Sequence, residues 1–292
     1  MQNYKVIGKE NSRLGESPIW DENYQRLYWV DIESKKLHAW DYASGKNYAW
    51  EFKNRICSIS LTENEDILLC AFDKFIATYN INSKILKKIK LKVNIPKSVR
   101  FNDGKTDNFG RFWCGTMSES SPKRPEASIY MLDRDFEIKK MFDNIVISNS
   151  LAASIDNKSV YFSDTYTKKI YKGILSKDKN NFENILVFRD NFNFSGFPDG
   201  STIDIDDNLW NAEWDGSRLV KYDNNSKVID IINLPIKRPT SCAFGGPDMN
   251  LLFVTSAMAN EDEENELNGK VLYFKTNTKG NFYSRFKNIN IN

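Results

Sequence analysis

Leu27-Tyr28-Trp29-Val30-Asp31 is a short run of β-formers, with the polar turn DENYQR at 21–26 leading into it and the strand-like KLHAWD at 36–41 behind it. The same pattern returns five times, at ILLCA 67–71, RFWCG 111–115, VYFSD 160–164, NLWNA 208–212 and LLFVT 251–255. Aligned on Trp29, Leu69, Trp113, Phe162, Trp210 and Phe253, the units stand 40, 44, 49, 48 and 43 residues apart. Polar turns such as TDNFG, DIDDN and GPDMN precede the cores, and strands such as SIYMLD, KIYKG, RLVKYD and KVLYFK follow them. A period of 40–50 residues holding about four strands is the pattern of a propeller blade.

Six such units fill the chain. The fold class is therefore all-β: a six-bladed β-propeller with four-stranded antiparallel blades around a central channel, and residues 1–292 form a single domain. The segment Tyr4-Lys5-Val6-Ile7 is placed to complete the last blade, although closure by C-terminal strands alone would serve the topology equally. KILKKIKLK at 84–92 reads as a strand with solvated lysines, and NEDEENE at 260–266 as a hydrated loop of the last repeat.

Composition narrows the function. With 41 basic and 39 acidic side chains the net charge is +2, which argues against nucleic acid or an anionic membrane as main partner. No apolar run reaches the length of a membrane span or a signal peptide, so a cytoplasmic location is expected. Cys57, Cys70, Cys114 and Cys242 form no CxxC pair and read as reduced thiols.

In a propeller the first strand of each blade lines the channel, so equivalent positions of different repeats meet there. Counting back 11–13 residues from the cores reaches Glu16, Asn102, Asn149 and Asp199, while repeats two and six offer Cys57-Ser58 and Thr240-Ser241. Carboxylate and amide oxygens suit hard divalent cations. The lone histidine, His38, lies outside the set, which excludes a histidine-rich zinc site and leaves a Ser-His-Asp triad without support. No GxSxG, GxxxxGK[ST] or GxGxxG is present. Paired-carboxylate glycosidase chemistry at Glu16 and Asp199 stays open, though the two amides beside them favour coordination.

Five long motifs in order resemble the SMP-30/gluconolactonase/regucalcin (LRE-like) family: LGESPIWDENYQRLYWVDI at 14–32, RFNDGKTDNFGRFWCGTM at 100–117, ISNSLAASIDNKSVYFSDTYTKKIYKG at 147–173, GFPDGSTIDIDDNLWNAEWDGSRLVKYD at 196–223 and RPTSCAFGGPDMNLLFVTSA at 238–257. The resemblance implies metal ligation by Glu16, Asn149 and Asp199, and substrate contact by Arg100 and Asn102. It implies one divalent ion, calcium first, with zinc, manganese or magnesium as alternatives. Glu119, two residues after Met117, is the candidate for a further substrate contact, with Ser120 beside it. The family often follows ISN with Gly and then Trp, where this chain has Ser150 and Ala153.

The activity so implied is that of a lactonase: hydrolysis of a small sugar lactone, an aldonolactone such as gluconolactone, to its acid, with Asp199 also assisting the attacking water. Two other readings are a non-catalytic calcium-binding propeller of the regucalcin type and a protein-docking scaffold. Neither the sugar nor the oligomeric state is written in the sequence.

Overall fold

The computed structural model describes residues 3–8, 10–258 and 265–287, and among them every regular element is a β-strand. Strand β1 (Lys5–Ile7) comes first and waits for a partner. Blade 1 then runs outward through β2 (Gly15–Asp21), β3 (Arg26–Asp31), β4 (Lys36–Asp41) and β5 (Asn47–Glu51). Blade 2 comprises β6 (Ile56–Leu61), β7 (Ile67–Phe72), β8 (Ile76–Asn80) and β9 (Leu86–Lys88). Blade 3 is β10 (Val99–Thr106), β11 (Phe112–Ser118), β12 (Ala127–Leu132) and β13 (Ile138–Ile145). Blade 4 is β14 (Ser148–Ala153), β15 (Ser159–Asp164), β16 (Lys169–Leu175) and β17 (Phe182–Asp190). Blade 5 is β18 (Phe197–Ile203), β19 (Leu209–Trp214), β20 (Arg218–Tyr222) and β21 (Val228–Asn233). Blade 6 takes β22 (Pro239–Gly245), β23 (Leu251–Ser256) and β24 (Val271–Lys275), with β1 as its outermost strand.

The ring is closed by the early segment: Lys5, Val6 and Ile7 pair with Tyr273, Leu272 and Val271. Each innermost strand also packs against the innermost strands on both sides, so six twisted sheets share one axis. Burial follows that geometry. β2, β6 and β22 are buried at every residue, whereas β5 is almost wholly exposed. Sequences such as ICSISL therefore show no in–out alternation, because both faces are covered.

The hydrophobic core lies between blades. Trp20, Phe253, Leu272 and Trp40 cluster where blades 6 and 1 meet, and Phe101, Phe112, Leu69 and Phe286 where blades 2 and 3 meet. The lysine run differs in detail from the expectation of one long strand. Only Leu86–Lys88 pairs in the sheet, yet Ile89 and Leu91 still pack inward while Lys88, Lys90 and Lys92 stay exposed. All four cysteines are free and buried. Of the acidic run, residues 260–264 lie outside the described residues.

The chain's last described segment crosses the lower face of the ring. Lys279 and Gly280 bond to Ile205 and Met249, Arg285 reaches Asp21 at 2.8 Å, and the Lys287 N–H meets Gly110 O at 3.1 Å. Between these anchors the Tyr283 hydroxyl meets Thr202 Oγ1 at 3.4 Å, and Lys105 lies over the Tyr283 ring. The channel is thus covered from below.

Candidate metal and substrate site

All six innermost strands break register near their upper ends. The breaks fall between Glu16 and Ile19, Ile56 and Ser58, Phe101 and Gly104, Asn149 and Ala152, Pro198 and Ser201, and Pro239 and Ser241. An extra residue in a strand bends it and re-aims its side chains. Every position found by counting lies within or beside one of these bulges. Ser17 and Ser150, which follow Glu16 and Asn149, take left-handed backbone at φ 51° and 62°. Glycine would adopt this without penalty, so serine at both positions carries backbone strain.

The bulges interlock from blade to blade. The Ile59 N–H donates to Ser17 Oγ at 3.0 Å, Leu151 N–H to Asp103 Oδ2 at 2.9 Å, and Ser150 Oγ to Asp199 O at 2.5 Å. Thr240 Oγ1 donates to Gly15 O, joining blade 6 to blade 1. The two remaining seams are close contacts at glycine. A Cβ on Gly104 would lie 2.7 Å from Ser58 Oγ, and one on Gly200 would lie 2.9 Å from Ser241 Cα.

On this ring stands a connected polar set. Arg100 Nη1 donates to Asn102 Oδ1 at 2.7 Å and to Phe101 O at 2.8 Å, and lies 3.7 Å from Cys57 Sγ. Asn102 Nδ2 donates to Asn149 Oδ1 at 2.9 Å and to Ser148 O at 2.8 Å. Asn149 Nδ2 in turn donates to Thr165 Oγ1 at 2.9 Å, which donates to Pro198 O at 2.7 Å. The chain of bonds runs across blades 2 to 5 and fixes both amides.

The carboxylates behave differently. Glu16 and Asp199 are 8% and 4% exposed, and Asp199 Oδ1 is buried with no hydrogen-bond partner. Burial, with the Asp103 charge behind it, pushes the Glu16 carboxyl up to about 8. Burial, then Glu16, then Asp103 raise Asp199 well above the ordinary range. Two desolvated acids, both raised further by Asp103 and one left with an orphaned oxygen, make a place where positive charge is wanted. Asn149 Oδ1 accepts one bond and keeps a second lone pair. This all-oxygen donor set fits a hard divalent cation.

Glu119 stands apart from the Arg100–Asn149 chain. One oxygen pairs with Arg55 and the other with Lys74 at 3.0 Å, which lowers its carboxyl pKa despite partial burial. Ser120 turns to Glu126, 2.6 Å from its hydroxyl. Sequence counting missed Asp103, Lys105 and Thr165. Asp103 and Lys105 flank the glycine of the RFNDGK stretch, and Lys105 reaches Ser201 O at 2.8 Å, where burial lowers its pKa and Asp103 opposes that shift. The motif contained their signal, but only the bulge shows that they line the channel below the acids.

The SMP-30/Gluconolactonase/LRE-like region profile matches residues 14–258, and the chain belongs to that family. It is a family of sugar lactonases and gluconolactonases that also includes regucalcins. Regucalcin of Gallus gallus is 34% identical over 268 residues, 89% of this chain and 88% of that one. A 6-deoxy-6-sulfogluconolactonase of Pseudomonas putida is 29% identical over 280 residues, covering 94% and 96% of the two chains. Among solved structures, the calcium-binding protein regucalcin of Agrobacterium tumefaciens superposes with a TM-score of 0.92 at 26% identity, over 98% of each chain.

Proposed function

We propose that the chain is a metal-dependent sugar lactonase, with Glu16, Asn149 and Asp199 holding one divalent cation, calcium first. The observation that carries this reading is the unpartnered, buried Asp199 Oδ1 beside a second desolvated carboxylate. When bound, such an ion polarises the lactone carbonyl and offsets the negative charge that develops on its oxygen.

The chain's own residues do the rest. Arg100, its Nη1 fixed by Asn102 and Phe101, orients the sugar with the remaining donors of its planar fork. Asn102, its two N–H groups held by Ser148 O and Asn149 Oδ1, offers the same substrate the remaining lone pair of Oδ1, so little order is lost on binding. Glu119 accepts sugar hydroxyls at the rim on lone pairs that Arg55 and Lys74 leave over. Water adds to the carbonyl carbon and gives a proton to the Asp199 carboxylate; the ring C–O bond then breaks, and the leaving alkoxide takes that proton back from Asp199 to become the hydroxyl of the acid. The segment through Tyr283 keeps bulk water from entering below.

The test is acid release in a pH-stat, with a panel of aldonolactones, several divalent ions and a chelator. Hydrolysis that stops with chelator and returns with a divalent ion is expected. Tight metal binding with every lactone left intact would replace this reading with a binding protein.

A further inference from the structure

Far from the axis, a cavity of about 660 Å³ opens on the flank where blade 1 meets the closing strand. Its cause is a mismatch of lengths. β1 ends at Ile7, so the outer strands of blade 1 have no strand opposite them beyond that point. Gly8, at φ +74°, lets the backbone leave the sheet there; a Cβ on it would lie 3.4 Å from Asn47 Oδ1.

The wall of this cavity is ordered by strand register. Trp29, His38 and Ala49 are cross-strand neighbours on β3, β4 and β5, and beside them stands the row Asp31, Lys36 and Glu51. Trp29 and His38 are stacked, ring centroids 5.1 Å apart and planes within 11°. The stack then stops, because Ala49 puts only a methyl group where a third ring would lie. His38 is 9% exposed, and its only described ring partner is Trp29. Burial lowers the His38 pKa and so favours the neutral imidazole, which has one donor and one acceptor.

The neighbouring row supplies polar edges of both kinds. Lys36 Nζ lies 3.5 Å from Glu51 and 3.8 Å from Glu10, distances of ion pairing rather than hydrogen bonding, so neither carboxylate takes up its N–H donors in a hydrogen bond. Glu10 and Glu51, 75% and 76% exposed, are acceptors beside it. A volume of this size is that of a small-molecule site.

We propose that this cleft binds a planar heteroaromatic ring of the nucleobase kind, seated over Ala49 and continuing the Trp29–His38 stack. A hydrocarbon ring would use the stack and waste the edges. A free sugar would find hydrogen bonds but no second face. A ring with donors and acceptors in its plane uses both, with Lys36 toward ring nitrogen or carbonyl and Glu10 toward an exocyclic amine.

His38 is the only histidine of the chain, so its ring protons give one unambiguous NMR signal. The experiment titrates the full chain with adenosine, and separately with ribose, to ~5 mM, reading that signal. Adenosine is expected to move it upfield in a saturable way with Kd below ~1 mM, while ribose leaves it in place. Ala49→Leu, on an exposed strand position, fills the slot and is expected to weaken adenosine by at least ~10-fold without altering lactone turnover. No shift with adenosine, an equal shift with ribose, or undiminished adenosine binding in Ala49→Leu would each overturn the proposal. These readouts do not depend on whether lactones are hydrolysed.

Discussion

Asp199 carries two duties in the proposed mechanism, ligand and proton acceptor, and Asn149 only one. Asp199→Asn keeps the shape and an oxygen but removes charge and base. Lactone hydrolysis should fall by at least ~100-fold even when titration on the same sample shows the metal site filled. Asn149→Ala should instead recover much of its activity as metal is raised. Near-normal turnover by fully metallated Asp199→Asn would take the base role away from Asp199. For Glu119→Gln the expectation is a raised KM with kcat little changed and stability altered by less than about 1 kcal/mol, since its pairs are partly exposed. An unchanged KM would leave Glu119 a structural partner of Arg55 and Lys74. At this scale the sequence is readable where a blade repeat can be counted, and the count leads to Glu16, Asn102, Asn149 and Asp199, each within or beside a bulge. It was opaque for Glu119, whose partner Arg55 lies 64 residues away on another blade.

The polar turns ahead of the strand cores were legible as turns, yet their side chains do more than reverse the chain. In blade 3 the Asp107 carboxylate accepts the Trp113 indole N–H at 2.8 Å and Arg111 Nε at 2.8 Å. In blade 5 Asp204 accepts Trp210 at 3.0 Å and pairs with Lys221 at 2.8 Å. The same six-residue offset recurs because a turn of fixed shape returns the chain beneath its own carboxylate. Burial raises the Asp204 carboxyl, but the bonds from Lys221, Trp210 and Asn208 outweigh it, and the folded-state value is lowered. A depressed carboxyl stabilises the fold above the ordinary Asp value near pH 4 and loses that contribution as the pH falls through the folded value. Asp204→Asn should therefore be less stable than the parent at pH 7, with the gap narrowing in denaturant titrations taken below pH 4. A gap independent of pH would mean that the charge of Asp204 contributes nothing. No counting of turn residues foretells this, since Lys221 comes from the next hairpin.

Across the whole molecule, period and strand grammar were enough for six blades, and the closing segment was one of two options until its pairing was seen. The crossing below the ring has no counterpart in the repeat, so TNTKGNFYSRFK gives no periodic signal to read. Closure has a measurable cost if weakened. Ile7, 2% exposed and packed in the cluster between blades 6 and 1, should lose about 2–5 kcal/mol on substitution by Ala. In a chain of this size each kcal/mol lowers Tm by about 2–4 °C, so calorimetry of Ile7→Ala should show a drop of several degrees. An unchanged Tm would make the closing strand dispensable. That strand also orders events on the ribosome. Lys5–Ile7 leaves the exit tunnel ahead of all six blades, but its partner strand Val271–Lys275 follows only after five of them are made. Until then five finished blades hold an open circle with an unpaired strand trailing from it. The two halves of blade 6 can therefore meet only once β24 has been made, and a nascent chain released before Val271 should be digested by protease from that seam.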